Sequence, residues 1–379
     1  KNISNNVCFL GSGIYDHFIP TAIDFLSNRS EFYTAYTPYQ AEVSQGTLQA
    51  LYEYQSMICE LSGMSISNSS LYDGASAVAE ACMLSVSVTK KSTILYSSTM
   101  HLHYKNVMKS LLSGMNIELI ELPSKDGITD LSNVEKYNDN LSALIIQSPN
   151  SFGLIESWTD AKAALNNSQA LLIAHADPLC LAELKSPGEC GADIYIGDGQ
   201  TLGNPMNYGG PLLGIFATRE KYKRLIPGRI VGKTIDRDGE DGFVLTLQTR
   251  EQHIRRDKAT SNICTNQGLL ALRATIYLAL MGKEGLRNVV NLCYQKSQYA
   301  AEKINRLDDY RLKFNRNFLK EFVVETNHNV SSVINHCQLN GFLLQNIDHQ
   351  LNNCFQIAVT EKRTKVEIDG LVSCLKSFK

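Results

Sequence analysis

The sequence has no cysteine motif, no excess of basic residues and no long apolar run, and each absence excludes a class of protein. Its 10 cysteines form no CxxC pair and no Cys/His cluster at zinc spacing. Lysine and arginine total 36 against 38 for aspartate and glutamate, whereas a nucleic-acid or anionic-membrane surface needs a basic excess. No stretch approaches the roughly 20 consecutive apolar residues that span a bilayer. We therefore expect no metal site, no nucleic-acid partner and no membrane partner.

The composition is otherwise that of an ordinary folded protein. With 379 residues, the chain has room for two to three structural units of roughly 100–200 residues each. Apolar residues make up 44% and charged residues 20%, which excludes disorder as the main state. Most cysteines stand in apolar contexts, as Cys59 and Cys180 do, which predicts small buried side chains in a reducing, cytoplasmic compartment. The chain starts at Lys1 rather than Met, so we expect a truncated N-terminus that hides any targeting segment.

Short apolar runs alternate with helical stretches through the middle of the chain. This alternation predicts an α/β layer fold with a mostly parallel sheet. Because the runs are apolar on both faces, we expect strands that are buried on both sides. A helix is predicted over residues 47–64, with Gly63 as its C-terminal stop. The apolar runs are residues 92–98, 117–122, 143–147, 170–174, 194–197 and 212–217.

Three segments are predicted along the chain. Residues 1–60 form an N-terminal segment with an extended Tyr-rich arm and a helix, residues 61–290 a large α/β domain, and residues 291–379 a small C-terminal α+β domain. Within the large domain, residues 221–265 are rich in glycine and charge. We expect a long loop there, because such loops in compact proteins are usually functional or part of an interface.

Three landmarks follow one another along the predicted sheet. The loop 72–76 opens a helix, and its backbone N–H groups with a small hydroxyl could cradle a phosphate; the alternative is an ordinary N-cap. Asp177 follows a buried strand, where it could lie under a cofactor ring nitrogen or cap the turn before Pro178. Gln200 follows the next short strand, at an interval of 200 − 177 = 23 residues.

The order of these landmarks resembles fold-type-I pyridoxal-phosphate (PLP) enzymes, which place a phosphate loop, an aspartate for the pyridinium nitrogen and a Schiff-base lysine in that sequence. Here the lysine position carries Gln200, and a carboxamide cannot form an imine. The resemblance therefore implies a vestigial cofactor pocket in a PLP-transferase-like large domain, with no catalytic residue and no covalently bound cofactor in this chain. The pocket residues are Gly74, Ala75, Ser76, Asp177 and Gln200.

Long stretches of the sequence carry a closer resemblance. They are FLGSGIYDH at 9–17, EFYTAYTPYQ at 31–40, EVSQG at 42–46, GGP at 209–211, PGRIVG at 227–232, GFVLTLQTREQHIRR at 242–256, ATSNICT at 259–265 and VTEKRT at 359–364. In these stretches the chain resembles, from end to end, subunit 1 of the two-subunit glycine cleavage system P-proteins, which are glycine dehydrogenases (decarboxylating).

This resemblance implies a division of labour between two chains of one fold. Subunit 2 would supply the lysine and the PLP, and subunit 1 would be inactive alone. The assembly, a heterotetramer of the bacterial cytoplasm, would decarboxylate glycine and pass the aminomethyl group to the lipoyl arm of the H-protein. Two alternatives remain open: a self-sufficient PLP enzyme such as an aminotransferase, with its lysine elsewhere, and a purely structural partner subunit.

Two polar stretches are candidates for a site shared with the partner or for the interface. The first is a hydroxyl-rich extended segment, and the second offers donors for a carboxylate or phosphate. Tyrosine clusters also occur as interface packing, and charged runs as solvated surfaces. The candidates are Tyr36, Thr37, Tyr39, Gln45, Arg250, His253, Thr260, Ser261 and Asn262. We expect structural roles for His17, His101, His103 and His175.

Overall fold

The computed structural model describes residues 6–166, 168–259, 261–263, 266–347 and 350–378. The strands are β1 (Val7–Cys8), β2 (Ile66–Ser67), β3 (Thr93–Ser97), β4 (Glu118–Leu122), β5 (Ser124–Lys125), β6 (Ile128–Thr129), β7 (Leu141–Gln147), β8 (Leu171–His175), β9 (Ile194–Asp198), β10 (Gly214–Thr218), β11 (Ile230–Ile235), β12 (Asp241–Thr246), β13 (Tyr310–Leu312), β14 (Glu321–Thr326), β15 (Phe342–Leu343), β16 (Gln345–Asn346) and β17 (Cys354–Ala358).

The helices vary from single turns to one long, broken helix. They are α1 (Thr21–Ser27), α2 (Ser30–Tyr33), α3 (Gln45–Ser62), α4 (Gly74–Thr89), α5 (Leu102–Leu112), α6 (Trp158–Ala164), α7 (Gln252–Arg255), α8 (Gly268–Ile304), α9 (Val330–Leu339) and α10 (Lys365–Ser377). Gly63 ends α3 in the left-handed conformation (φ 67°), as predicted. Among the described residues, none of these helices combines the length and the apolar character needed to cross a membrane.

A seven-stranded sheet forms the centre of the described structure, in the order β2-β10-β9-β8-β7-β3-β4. Strands β4, β3, β7, β8 and β9 are parallel, and β10 is antiparallel to β9 and to β2. The predicted α/β class with a mostly parallel sheet is confirmed. Strand β4 differs from the rest because it lies at the sheet edge, and its Glu118 and Glu121 are exposed.

Two apolar cores cover the two faces of this sheet. Leu172 belongs to the core formed with α3 and α8, whereas its neighbour Ile173 belongs to the core formed with α4 and α5. The alternation follows from the period of two in a strand, and it explains why runs apolar at every position predict the strands so well. Parallel strands end at one edge of a sheet, so the loops after β8 and β9 come together there.

The C-terminal unit is a separate antiparallel sheet, β13-β14-β17-β16, with its own apolar core. The first strand of the chain, β1, pairs in parallel with β15 of this unit. Helix α8 is broken at Gly282 (φ 57°, ψ −174°). The second half of α8 runs through residue 290, the predicted boundary, and continues into the C-terminal unit. The division of the chain into three segments remains a proposal.

Residues 221–265 contain regular structure where a long loop was predicted. Strands β11 and β12 form an antiparallel ribbon whose backbone is held against α3 by the Gln55 carboxamide, which exchanges two hydrogen bonds with Val231 at 2.9 and 3.0 Å. The outer part of the ribbon is exposed and carries charged residues around the turn. Those charges hid the strand pattern in the sequence.

The described cysteines carry no disulfide. Six of the nine are buried and the other three are half-buried. This agrees with the prediction that most of them act as small apolar side chains.

Candidate functional site

The predicted pocket residues meet at the carboxyl edge of the central sheet. Asp177 follows β8, Gln200 follows β9, and Gly74 begins α4 beside them. Thr201, next to Gln200, donates a hydrogen bond from Oγ1 to Asp177 Oδ1 at 2.6 Å. The sequence order of the three landmarks therefore corresponds to one place in the fold.

Gln200 is 2% exposed, and both polar atoms of its carboxamide are bound to backbone. Oε1 accepts a hydrogen bond from the Tyr15 N–H at 2.9 Å, and Nε2 donates to the Tyr15 carbonyl at 3.1 Å and to the Asn204 carbonyl at 2.9 Å. The Gln200 side chain is thus fully committed to holding the N-terminal part of the chain.

Asp177 is paired with a lysine of the C-terminal unit. The Lys320 ammonium contacts Asp177 Oδ2, and the two side chains are only 6% and 13% exposed. Although burial favours the neutral acid, the charge of Lys320 lowers the pKa of Asp177 below its ordinary value. Burial lowers the pKa of an ammonium group, yet the charge of Asp177 holds the pKa of Lys320 above its ordinary value. The pair is therefore charged and buried.

Lys320 is enclosed by residues of the N-terminal segment. Its Nζ lies 3.5 Å from the centre of the Tyr15 ring and 3.0 Å from His17 Nε2. An ammonium can only donate, so His17 Nε2 accepts and His17 Nδ1–H donates to Glu361 Oε2 at 2.6 Å. Burial opposes the ionisation of Glu361, but the hydrogen bond from His17 lowers its pKa to about 2.

His17, Cys293 and Glu361 place three potential metal ligands within 4.8 Å of one another. Two facts oppose a cation there. His17 Nδ1 already donates its proton to Glu361, and the Lys320 ammonium lies 3.0 Å from the other ring nitrogen. We assign no metal to this group.

The start of α4 is occupied by carboxylates of the chain itself. Asp198 Oδ2 accepts the Gly74 N–H at 3.0 Å, and its Oδ1 accepts the Gln200 N–H at 2.9 Å. Asp73 caps the helix through the Ser76 N–H at 2.7 Å, and the Ser76 hydroxyl completes a capping box. The helix start predicted as an anion cradle thus also fits the alternative of an N-cap.

Burial raises the pKa of Asp198 to about 7, with the N–H groups of Gly74 and Gln200 opposing the rise and the charge of Asp73 adding to it. The packing around this carboxyl is tight. A Cβ atom on Gly74 would lie 2.8 Å from the Tyr104 hydroxyl oxygen and 3.1 Å from Asp198 Cβ. Ala75, the next residue of the helix, is buried as well.

Aromatic side chains line the rest of the pocket. The Tyr104 and His175 rings have centroids 4.6 Å apart, and His101 lies edge-on to both. Burial, aided by nearby His103, lowers the pKa of His175 to about 3. The histidines thus form a neutral, packed wall, and no metal is assigned to them.

The pocket is too full for a cofactor. The cavity that remains between Tyr15, His101, Asp177, Asp198 and Lys320 measures about 20 Å³. That is room for roughly one water molecule. With no primary amine at residue 200, an ammonium already on Asp177 and a carboxylate at the α4 N-terminus, the residues present do not fit PLP.

A larger groove of about 1280 Å³ lies elsewhere, between α3 and the break in α8. Its walls are largely apolar, with side chains such as Met57, Leu61 and Leu286. It contains none of the predicted site residues.

The candidate shared-site residues are only partly brought together. Tyr36 is 82% and Tyr39 52% exposed. The Tyr39 ring lies edge-on to His253, with centroids 6.3 Å apart. Its hydroxyl accepts a hydrogen bond from the Arg229 guanidinium at 3.0 Å. Sequence reasoning gave Arg229 no role, although it stands in the PGRIVG stretch.

Arg250 and Gln45 are tied to the backbone of their own chain. The Arg250 guanidinium donates to the carbonyls of Ile226 and Gly228, and burial lowers its pKa to about 10. The Gln45 carboxamide exchanges two hydrogen bonds with the backbone of Phe243, at 2.8 and 2.9 Å. Arg250 thus fixes the loop before β11, and Gln45 ties the start of α3 to strand β12.

The remaining candidates differ in exposure. Thr37 is half-buried, and its carbonyl accepts the Tyr39 N–H at 2.8 Å. Ser261 Oγ accepts the Ile263 N–H at 3.1 Å, and exposed Asn262 accepts a hydrogen bond from the Gln252 side chain at 3.3 Å. Thr260 lies outside the described residues.

Three residues of the pocket were missed from the sequence. Lys320 is 143 positions from Asp177, and no local pattern links them. Tyr15 lies in the FLGSGIYDH stretch, but its use of the Gln200 side chain has no sequence signal. Asp198 does have a sequence signal. An acidic residue between two glycines at the end of a buried strand indicates a polar site.

Comparison with solved structures defines the class of protein. A C-DES variant with glycine covalently linked to its PLP cofactor shares the fold at a TM-score of 0.69, with 12% identity over 95% of this chain and 94% of that one. At that identity the likeness concerns the fold alone. The architecture is that of fold-type-I PLP enzymes.

Closer relatives define the family. The model of the glycine cleavage system P-protein matches residues 1–375. A probable glycine dehydrogenase (decarboxylating) subunit 1 from Prosthecochloris aestuarii is 52% identical over 97% of this chain and 84% of its own length. The crystal structure of a glycine decarboxylase (P-protein) of the glycine cleavage system, in inhibitor-bound form, has a TM-score of 0.96 at 40% identity, covering 99% of this chain and 86% of that one. The chain belongs to the glycine cleavage system P-protein family.

Proposed function

We propose that this chain is the cofactor-free subunit 1 of a two-subunit glycine-decarboxylating enzyme. A partner of the same fold, subunit 2, supplies the Schiff-base lysine and the PLP. The complex decarboxylates glycine and transfers the aminomethyl group to the lipoyl arm of the H-protein. The family relationship and the names of the relatives support this assignment.

The observation that carries the division of labour is the state of Gln200. Its carboxamide cannot act as a nucleophile toward an aldehyde, and its hydrogen bonds to Tyr15 and Asn204 leave it no freedom to reorient. When bound, PLP supplies an electron sink for decarboxylation. This chain's own contribution is to assemble with subunit 2 and to shape the surroundings of the PLP that subunit 2 holds.

The surface around Tyr39 is our proposal for the contact with the partner's site. Tyr36 and Tyr39 are exposed, which is unusual for two large aromatic side chains so close in sequence. The Arg229 guanidinium lies 5.2 Å from the centre of the Tyr39 ring and orients it, and His253 lies at its edge. Tyrosine and arginine are the residue types enriched in protein interfaces. A heterotetramer in the bacterial cytoplasm is part of the same proposal.

The direct test is reconstitution. The purified chain, subunit 2 alone and the co-purified complex are compared for exchange of labelled CO₂ into glycine in the presence of H-protein. We expect exchange by the complex and none by this chain. Exchange by this chain alone would contradict the division of labour, and an inactive complex with correctly loaded partner would contradict the function itself.

A further inference from the structure

The pocket holds three groups of this chain at the three positions where a PLP enzyme of this fold would contact its cofactor. The carboxyl group of Asp198 accepts the N–H of Gly74 at the helix start, in place of a phosphate. An ammonium, Lys320, lies on Asp177 in place of a protonated ring nitrogen. A backbone segment, Tyr15, lies on Gln200 in place of an imine. Each of these three groups has the charge or polarity that suits Gly74, Asp177 or Gln200, the residue that it contacts.

We propose that this pocket has become a lock between the N-terminal strap (residues 9–18), the central sheet and the C-terminal unit, and that it stays closed to PLP even when a lysine is restored at residue 200. The inference goes beyond the proposed function, because it concerns how this subunit is held together and does not depend on the activity of the complex.

The strap is held from both sides. Toward the sheet, Gln200 binds both backbone groups of Tyr15. Toward the C-terminal unit, Glu321 accepts the Ser12 N–H at 2.7 Å and the Tyr15 hydroxyl at 2.9 Å. The Phe9 carbonyl accepts the Ala358 N–H at 2.9 Å. The strap therefore links elements that are far apart in the sequence.

The strap and the loop after β7 both pack tightly against Glu321. A Cβ atom on Gly11 would lie 2.0 Å from Glu321 Oε1, and a Cβ atom on Gly153 would lie 1.8 Å from the Glu321 carbonyl oxygen. Both contacts are far below any real Cβ contact, so only glycine fits at these two positions. Opening the pocket would require the strap to leave and the Lys320–Asp177 ion pair to break.

The first test restores the amine. Gln200→Lys is introduced into the full chain, co-expressed with subunit 2, loaded with PLP and reduced with borohydride, and labelled peptides are mapped by mass spectrometry. The lysine of subunit 2 in the same sample is the positive control. We expect label on subunit 2 and none above background at residue 200. Label at residue 200 comparable to that on subunit 2 would overturn the proposal.

The second test uses the wild-type chain, so it does not depend on the folding of a variant. Hydrogen–deuterium exchange is followed in the complex for the amides of Ser12 and Tyr15, with the buried strand β8 as reference. We expect both amides to exchange as slowly as those of β8, with no change on adding excess PLP. Exchange at the rate of an exposed segment, or a PLP-dependent change in the strap, would overturn the lock. Neither result bears on whether the complex decarboxylates glycine.

Discussion

Gln200 and Tyr15 are 185 positions apart in the sequence, yet the side chain of the first forms a complete pair of hydrogen bonds with the backbone of the second. The pairing resembles a bridge between two strands, with a carboxamide in place of a peptide group. A lysine at residue 200 could donate to the Tyr15 carbonyl but could not accept from its N–H. Glutamine, which can both donate and accept, is therefore the side chain that fastens the strap at residue 200.

The buried ion pair can be tested by a double-mutant cycle. Lys320→Met leaves the Asp177 carboxylate buried without its cation, and we expect a loss of about 3–5 kcal/mol in the free energy of unfolding. Combining Lys320→Met with Asp177→Asn should recover part of that loss, because the uncompensated charge is removed. Urea denaturation of the four proteins measures the coupling.

Lys362 provides the matched control for this cycle. It pairs with Asp16 Oδ1 at 2.8 Å, again between the C-terminal unit and the strap, but its side chain is 45% exposed. Lys362→Met should change the free energy of unfolding by no more than about 1 kcal/mol. Equal effects of the two lysine substitutions would mean that burial of the Lys320 pair has no energetic consequence.

The histidine wall predicts a specific loss of stability in acid. The pKa of His175 is about 3 in the folded protein and about 6.5 in an unfolded chain, so the unfolded state binds a proton first as the pH falls. The stability that the neutral His175 ring contributes is fully present above about pH 6.5 and is lost progressively toward pH 3. At pH 4.5 the loss in the free energy of unfolding is about 3 kcal/mol.

His175→Phe removes the titrating group while keeping an aromatic ring. The difference between variant and wild type at pH 8 measures any change in packing. Between pH 7 and 4.5 we expect the free energy of unfolding of His175→Phe to fall less steeply than that of the wild type. Urea denaturation at each pH gives the comparison. Parallel pH profiles for the two proteins would show that His175 is not buried as a neutral ring.

The close approach at the start of α4 predicts opposite effects of one substitution at two glycines. Gly74→Ala places a methyl group against the Tyr104 hydroxyl and Asp198, and overpacking of this kind costs about 1–3 kcal/mol. Gly46, in the first turn of α3, has no atom within 4 Å of the place that an added methyl group would take, and Gly46→Ala should stabilise the helix by up to about 1 kcal/mol. Thermal denaturation of both variants checks the sign.

The surface around Tyr39 predicts an effect on turnover without an effect on assembly. Tyr39→Phe removes the hydroxyl that holds the Arg229 guanidinium, and His253→Ala removes the ring beside it. In the complex with subunit 2 we expect each to lower kcat at least tenfold, with an unchanged elution volume in size-exclusion chromatography. Tyr33→Phe, on the same arm and 62% exposed, is the control. Normal turnover in both variants would favour the purely structural alternative for this surface.

Local sequence patterns predict most of the strands and helices. Residues 170–174 are apolar at every position, and only a strand covered on both faces needs that composition. Gly63 marked the end of α3 because a left-handed residue is required there. The ribbon β11–β12 was missed because its exposed residues are charged and its turn is polar.

The site was predicted less completely, for a physical reason. Asp177 and Gln200 follow adjacent strands, so the rule that parallel strands end at one edge brings them together. Lys320 and Tyr15 reach the same place from the two far ends of the chain, through side-chain contacts that leave no periodicity behind. The closure of the pocket is therefore a tertiary property that this single sequence did not reveal.

The central claim is that the amine that holds PLP belongs to the partner and not to this chain. The most direct measurement is borohydride reduction of the wild-type complex of this chain with subunit 2, followed by mass-spectrometric mapping of the cofactor. The account predicts that all covalently held PLP lies on subunit 2. Stoichiometric label on any lysine of this chain, Lys320 included, would contradict it.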